Sequence, residues 1–240
     1  MKLLITDENK IFPFKGKDIH TKWGYIRKEE IEKSPVGSVL KTNKDKELYV
    51  INSTFRDLYS KIKQQAQVML PKDITAIIAN CGITKKSRVL DSGSGSGGTA
   101  CFLATIAKHV YSYEIREDHA NIAKKNAEML GLNNITIKER DITKGIQEKN
   151  LHVVILDLPE PWLAIESCKK ALTPGGWIVS YSPNLTQVKK FVSQIGQDKR
   201  FVYAKTIELI EREWEVEERK LRPKYRMLGH TGFLSFARRV

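Results

Sequence analysis

Apolar positions in the first quarter of the chain fall in short runs that turn residues separate. The runs at residues 11–12, 23–26 and 48–51 are rich in aromatic and β-branched residues, and such runs predict short strands. Glycines and a proline lie between them, where turns are expected. The pattern predicts a small β-rich domain over residues 1–63, followed by a second domain over residues 64–240.

From about residue 60 onward, the spacing of hydrophobic residues along the chain is different. A helical spacing starts near Ser60, runs through Ala66, and resumes from Asp73, a predicted N-cap, to Asn80. From Ser87 onward strand-like and helix-like segments alternate, which predicts an α/β fold with a mostly parallel, doubly wound sheet. The predicted strands are residues 88–91, 110–114, 135–138, 151–157, 176–181, 201–209 and 232–237, and the predicted helices are residues 99–108, 117–130, 161–172 and 185–195.

Composition fits a globular protein. Hydrophobic residues make up 41% and charged residues 29% of the 240 positions, which is ordinary for a soluble domain. No apolar run approaches the ~20 residues of a membrane-spanning helix, and the first apolar patch is too short for a signal peptide, so we expect a cytoplasmic protein. Three widely separated cysteines without C-x-x-C spacing argue against disulfides and against a metal site.

The net charge of +13 favours a polyanionic partner. Residues 219–240 contain seven basic residues and no acid, whereas residues 208–218 contain six glutamates. We interpret the acidic stretch as a solvated surface. For the basic stretch, which also holds Tyr225 and His230, a phosphate-contacting surface and a solvated face both remain open.

A glycine-rich turn, VLDSGSGSGGTA, follows the first strand of the second domain. Gly93, Gly95 and Gly97 lack a Cβ and let the backbone approach a ligand closely. Gly93, Gly95 and Gly98 equally match the dinucleotide pattern G-x-G-x-x-G. The turn therefore predicts a nucleoside-bearing cofactor without identifying it.

Two acids at the next strand ends support such a cofactor. Glu114 ends the second strand about 20 residues after the turn, where a carboxylate can accept both ribose hydroxyls. Asp141 follows the third strand and could accept a hydrogen bond from an adenine amino group. Capping of the turn toward Thr143 is an alternative role for Asp141.

The stretch ILDLPEPW places Asp157 at the end of the fourth strand, in the crevice where open α/β sheets bind ligands. A carboxylate there could orient an adenine through its amino group and take the proton that methylation of a ring nitrogen makes acidic. Asp157 is therefore the predicted general base. Trp162 offers a stacking face for a base, or alternatively packs in the core.

Six segments resemble the class I tRNA (adenine-N1)-methyltransferases that modify the T-loop, most closely the archaeal branch. They are QVMLPKD (67–73), DSGSGSG (91–97), YEIRE (113–117), DLPEPW (157–162), NLTQV (184–188) and LRPKYRMLGHTGF (221–233). The resemblance implies S-adenosyl-L-methionine as cofactor, tRNA as substrate and a Rossmann-like fold with a seven-stranded, mostly parallel sheet. It also implies a tRNA-contacting N-terminal domain, a homotetramer, and methylation of adenine N1 at position 58, with position 57 as a second target.

The resemblance assigns roles to individual residues as well. Asp157 is catalytic and also lies beside the donor, and His230 lines the acceptor pocket, unless a C-terminal hairpin satisfies its imidazole. Leu70 departs from the family, which usually has tyrosine there, so an aromatic contact is lost unless Trp162 or Tyr181 replaces it. The other predicted donor-binding residues are Gly93, Ser94, Gly95, Gly97, Glu114 and Asp141, and the other predicted substrate-binding residues are Trp162, Tyr181, Arg222, Lys224 and Arg226.

Three alternative functions fit parts of the sequence. A methyltransferase for another acceptor, such as a protein isoaspartyl carboxylate, would share the fold. A non-catalytic tRNA-binding subunit would lack a working donor site. A dehydrogenase would use the glycine turn for a dinucleotide, although little sequence remains for a hydride-handling substrate domain.

Overall fold

The computed structural model describes residues 1–65 and 67–240. It divides into two compact units, Met1–Lys61 and Ile62–Val240, so the division falls two residues before the predicted one. A helix was predicted to start near Ser60. The structure instead has a helix at Phe55–Tyr59, which ends before Ser60. The end of that prediction, Ala66, lies outside the described residues.

The first unit is β-rich, as the sequence predicts. Its elements are β1 Lys2–Ile5, β2 Ile11–Pro13, β3 Ile19–Thr21, β4 Gly24–Ile26, α1 Lys28–Lys33, β5 Val39–Lys41, β6 Glu47–Asn52 and α2 Phe55–Tyr59. One antiparallel sheet has the order β2-β1-β6-β5, and β3 and β4 form a separate hairpin. Leu4, Ile31 and Leu48 are fully buried in the core of this unit.

The second unit contains the predicted seven-stranded α/β sheet. Its strands are β7 Arg88–Ser92, β8 His109–Glu114, β9 Ile135–Glu139, β10 Leu151–Leu156, β11 Leu172–Ser182, β12 Phe201–Glu208 and β15 Phe233–Arg239, and a separate hairpin is formed by β13 Trp214–Glu217 and β14 Lys220–Pro223. Its helices are α3 Pro71–Cys81, α4 Gly98–Ala104, α5 Glu117–Met129, α6 Ile165–Ala171 and α7 Leu185–Gln197, with 3₁₀ turns at Ile142–Lys144 and Pro161–Ala164. The sheet order is β12-β15-β11-β10-β7-β8-β9, and β15 runs antiparallel to both of its neighbours. The prediction of a mostly parallel, doubly wound sheet is therefore confirmed.

Both faces of this sheet are covered, as a continuous apolar strand indicates. Along β10, Val154 and Leu156 belong to one core cluster, whereas Val153 and Ile155 belong to the cluster on the opposite face. The strand therefore has no solvent-facing side. A polar residue that follows it directly is held at the sheet edge, where ligands bind.

Helix α3 differs from the predicted helix at its start. It begins at Pro71, two residues before Asp73, and its N-cap is Leu70, which makes no side-chain capping bond. Proline is favoured in the first turn because it has no N–H that would be left unbonded. The prediction that Asp73 is an N-cap is therefore wrong, and its fully buried carboxylate has other partners.

Candidate active site

A cavity of about 560 Å³ opens at the carboxyl ends of β7, β8, β9 and β10. The strand order reverses between β7 and β10, and this switch point is where doubly wound sheets bind ligands. The cavity is lined by Gln67, Ser92, Gly93, Gly95, Tyr113, Glu114, Ile115, His119, Arg140, Asp141, Ile142, Thr143, Asp157, Leu158, Pro159, Glu160 and Leu163. The glycine turn and Asp157 thus face one cavity.

Gly93 joins these two features directly. Its φ is +88°, and a Cβ at this position would lie 2.0 Å from the carbonyl oxygen of Asp157. The Asp157 N–H also donates to the Ser92 carbonyl at 2.9 Å. Only glycine fits between the two strand ends, so the turn and the predicted base are held together by backbone contact.

Two residues of the predicted donor site, Gly97 and Ser94, stabilise the glycine turn through contacts with neighbouring elements. A Cβ on Gly97 would lie 2.7 Å from the Ala123 Cβ, so this glycine permits close packing of α4 on α5. The buried Ser94 hydroxyl is hydrogen-bonded to the Ser112 hydroxyl. Neither Gly97 nor Ser94 is among the lining residues of the cavity, and the contacts of both support the turn.

Glu114 and Asp141 line the cavity as predicted. One Glu114 oxygen accepts from the Gly95 N–H at 2.8 Å and the other from the Arg116 N–H at 3.0 Å. The Thr143 hydroxyl and N–H donate to one Asp141 oxygen at 2.7 and 2.9 Å, and the hydroxyl is the main cause that lowers the pKa of Asp141. Asp141 therefore caps the turn, the alternative that the sequence left open, while it also faces the cavity.

Burial dominates the electrostatics of the strand ends. It raises the pKa of Asp157 to about 7, and in the described part of the chain no donor bonds to this carboxylate. It also raises the pKa of Asp91 to about 7, against a lowering hydrogen bond from Ser112 and with a further raising effect from the charge of Asp157. Asp91 Oδ1 is buried with no partner among the described residues. Such groups are candidates for ligand contact or proton transfer.

The cavity is acidic although the whole chain is basic. Four carboxyl side chains line it, those of Glu114, Asp141, Asp157 and Glu160, against the single guanidinium of Arg140. A cationic ligand is attracted to such a lining, whereas a pyrophosphate is repelled by it. The geometry therefore favours a donor that carries a sulfonium and an ammonium group over a dinucleotide.

A second, smaller cavity of about 170 Å³ is also lined by Asp157. It is lined by Gln67, Val68, Met69, Asp157, Tyr181, Pro183 and Thr231. Asp157 and Gln67 line both cavities. A Cβ on Gly232 would lie 2.5 Å from the Tyr181 ring, so this glycine lets the chain pack closely against the ring, whose burial raises the pKa of Tyr181 to about 12.

The other predicted substrate-binding residues lie outside both cavities. Trp162 packs against the core with Lys190 Nζ 4.0 Å from its ring centroid, which matches the packing alternative. His230 Nε2 lies 2.8 Å from the Pro183 carbonyl and Nδ1 lies 2.6 Å from Glu208. Both partners are acceptors, and the Glu208 contact raises the pKa of His230. Its imidazole is thus bonded to Glu208 at the end of β12 and to Pro183 after β11, and not inside a C-terminal hairpin.

Three of the seven basic residues in the basic stretch form ion pairs with glutamates of the acidic stretch. In the β13–β14 hairpin Glu215 lies opposite Arg222, with a 2.9 Å ion pair. Lys224 pairs with Glu213, and Lys220 with Glu217 at 3.1 Å. The two stretches therefore pair within one hairpin, whose paired side chains remain 29–62% exposed. Arg226 makes no ion pair among the described residues.

Several cavity residues were not predicted from the sequence. Gln67 and Thr231 fall inside the two family segments QVMLPKD and LRPKYRMLGHTGF, and that position was their only signal. Arg140 and His119 carried none, since single residues after a strand or within a helix have many roles. Among the described residues no cluster of His, Cys, Asp and Glu could hold a metal ion, and no helix is long and apolar enough to span a membrane.

Comparison with known proteins adds to this geometry. The family model described as the tRNA methyltransferase complex GCD14 subunit matches residues 46–224, which is more than half of the chain. The chain belongs to this family. It is 34% identical to the tRNA (adenine(57)-N(1)/adenine(58)-N(1))-methyltransferase TrmI of Methanocaldococcus jannaschii, over 99% of this chain and 94% of that protein. It is 32% identical to the tRNA (adenine(58)-N(1))-methyltransferase TrmI of Thermus thermophilus, over 95% and 91% of the two chains.

Solved structures agree on the fold of this tRNA methyltransferase family member. A SAM-dependent O-methyltransferase from Thermotoga maritima superposes with a TM-score of 0.90 at 30% identity, covering 100% of this chain and 92% of that one. The tRNA (m1A58) methyltransferase TrmI of Aquifex aeolicus has a TM-score of 0.84 at 23% identity, covering 100% and 96%. The chain thus has the class I methyltransferase fold.

Proposed function

We propose that this chain transfers a methyl group from S-adenosyl-L-methionine to N1 of adenine in the T-loop of tRNA, at position 58 or at positions 57 and 58. The observation that carries the proposal is that Asp157 lines both cavities. The larger one fits the donor in volume and charge, and the smaller one lies where an acceptor ring would meet it. The names of the relatives from Methanocaldococcus and Thermus support the substrate.

The donor cavity fits S-adenosyl-L-methionine through residues already in place. Glu114 receives the ribose hydroxyls on the lone pairs that its two backbone N–H bonds leave free. Asp141 receives the adenine amino group on the oxygen that Thr143 does not use. Gly93 and Gly95 let the ligand lie against the backbone. When bound, the donor supplies an activated methyl group on a sulfonium.

Asp157 performs the proton chemistry on the acceptor side. Its carboxylate accepts a hydrogen bond from the exocyclic amine of the adenine and so orients N1 toward the donor cavity. As positive charge develops on the ring, the amine becomes more acidic and Asp157 takes its proton. A pKa of about 7 lets Asp157 be unprotonated before the reaction and still bind the proton near neutral pH.

The same proposal includes a homotetramer that acts on tRNA in the cytoplasm. One face of the β13–β14 hairpin is apolar and exposed: Trp214 is 53%, Val216 73% and Leu221 76% exposed, with Val216 opposite Leu221. Such a face fits burial against another subunit. Light scattering of the purified protein tests this, and a monomeric mass would contradict it.

The test of function is methylation of tRNA transcripts followed by mapping of modified nucleosides by mass spectrometry. The expected product is 1-methyladenosine in the T-loop, and a transcript with guanosine at positions 57 and 58 is the control. The Thermotoga structure is described as an O-methyltransferase, so an isoaspartyl peptide is assayed in parallel. Methylation of the peptide without methylation of tRNA would refute the proposal.

A further inference from the structure

The chain leaves the large sheet after β12 and returns to it before β15. A buried ion pair between Lys72 and Asp73 lies where the two ends of this segment meet. Lys72 Nζ lies 2.8 Å from Asp73 Oδ1, 2.8 Å from the Leu209 carbonyl and 2.7 Å from Thr231 Oγ1. The three N–H groups of the ammonium thus have three acceptors. The Thr231 hydroxyl in turn donates to Asp73 Oδ2 at 2.9 Å, which closes a ring of Lys72, Asp73 and Thr231.

This ring joins parts of the chain that are distant in sequence. Lys72 and Asp73 lie in the first turn of α3, Leu209 follows β12, and Thr231 precedes β15. Residues 210–230, which include the β13–β14 hairpin, therefore begin and end at one ammonium group. The Asp73 side chain is 0% exposed and that of Lys72 is 12% exposed.

The ring contributes one residue, Thr231, to the lining of the smaller cavity. Tyr181, Pro183 and Asp157 line the same cavity. Gly232, next to Thr231, packs against the Tyr181 ring, and His230 bonds to the Pro183 carbonyl at 2.8 Å. A shift of Thr231 would consequently move the wall against which an acceptor ring rests.

Electrostatics explain why a charged pair suits this place. A buried pair is held to a narrow set of geometries, because either partner alone would be a charge without solvent or counter-ion. Apolar residues of similar size could fill the same volume but would not fix the position of the Thr231 hydroxyl. Lys72, Asp73 and Thr231 are not among the residues that line the donor cavity.

We propose that Lys72 and Asp73 are positioning residues for the acceptor, which hold Thr231 and the cavity wall at a fixed separation from Asp157. This inference rests on the proposed function. It assigns a role to the Pro-Lys-Asp and His-Thr-Gly segments, which the donor site and the general base leave unexplained. Its signature is a defect confined to the tRNA side of the reaction.

The test compares Thr231→Val with Thr231→Ser. Valine keeps the shape but removes the hydroxyl from the ring, and serine keeps the hydroxyl. We expect Thr231→Val to lower kcat/KM for tRNA by about 10–100-fold, with the dissociation constant for S-adenosyl-L-methionine unchanged within about twofold. Thr231→Ser should recover most of that loss.

Lys72→Met and Asp73→Asn extend the test to the ion pair, with Lys86→Met as the control for loss of an exposed lysine. Calorimetric donor binding and thermal unfolding of each variant accompany the kinetics. A loss of kcat/KM for tRNA with donor affinity kept supports the proposal. Kinetics equal to those of Lys86→Met would overturn it, as would a parallel loss of donor binding, tRNA activity and stability.

The wild-type protein separates this proposal from the function on which it rests. If the wild type methylates adenine and Thr231→Val does so equally well, only the positioning role fails. If the wild type transfers no methyl group to tRNA, both fail.

Discussion

The strand ends around Asp157 and the β13–β14 hairpin differ in whether their charged side chains form ion pairs. Asp91 and Asp157 are held near the cavity with their charged forms disfavoured by burial. In the hairpin, Glu215 and Glu217 meet Arg222 and Lys220 across the strands. Charges that pair within the chain stabilise local structure. Charges that the fold isolates are available to a ligand or a reaction.

The largest expected effect comes from the isolated carboxylate at the reacting edge. Asp157→Asn keeps the size of the side chain but removes its ability to take a proton. We expect the rate of methyl transfer to fall by about 10²–10⁴-fold, while calorimetry still detects binding of S-adenosyl-L-methionine. Glu218→Gln, a change on the exposed surface, is the control. If Asp157→Asn turned over at nearly the wild-type rate, the unpaired carboxylate at the strand ends would have no catalytic role.

Glu114→Gln is expected to have the next largest effect. The amide keeps one acceptor oxygen, so it cannot accept from both the Gly95 and Arg116 N–H groups and still receive both ribose hydroxyls. Donor affinity should fall about 10-fold or more, since hydrogen bonds to a charged group are worth ~1.5–3 kcal/mol each. Titration of the variant with S-adenosyl-L-methionine measures this. An unchanged dissociation constant would assign Glu114 to the turn alone.

The pH dependence of wild-type turnover should follow Asp157. The base works when unprotonated, so kcat/KM for tRNA should rise with pH and level off above its pKa of about 7. Between pH 6 and pH 8 the rise should be about 10-fold. Asp141 does not titrate in this window, because its pKa is lowered. A flat profile measured at constant ionic strength would contradict the role of burial at Asp157.

The smallest expected effect distinguishes paired from unpaired charge in the C-terminal segment. Arg226→Gln should weaken tRNA binding and lower the salt slope by about one unit, the loss of one phosphate contact. Arg222→Gln should leave the slope unchanged, because Glu215 already neutralises its guanidinium. Filter binding at several salt concentrations measures both. Equal slopes for the two variants would show that ion pairing in the hairpin does not decide tRNA contact.

Three residues of the larger cavity could be predicted because the rules that place them are local. A glycine turn after a strand, and acids at the ends of the next strands, place Gly93, Glu114 and Asp157 together in any doubly wound sheet. The burial of β10 on both faces likewise follows from a continuous apolar run. For these residues, chain order alone fixes the position.

The ring of Lys72, Asp73 and Thr231 could not be predicted, because its contacts are distant in sequence. Asp73 resembles an N-cap by local rules, yet its partner is Thr231, 158 positions away. The register that pairs Glu215 with Arg222 depends on a turn that two separate charge runs do not reveal. His230 was predicted to line the acceptor pocket or to be satisfied inside a C-terminal hairpin, and its two acceptors come from residues 183 and 208.

The contact of Gly93 with the Asp157 carbonyl has a consequence for the timing of catalysis. Because no side chain separates the two strand ends, the glycine turn and the proposed base share one corner of the sheet. On the proposed function, folding alone would bring the glycine turn and the base together, and turnover would depend on the arrival of the tRNA.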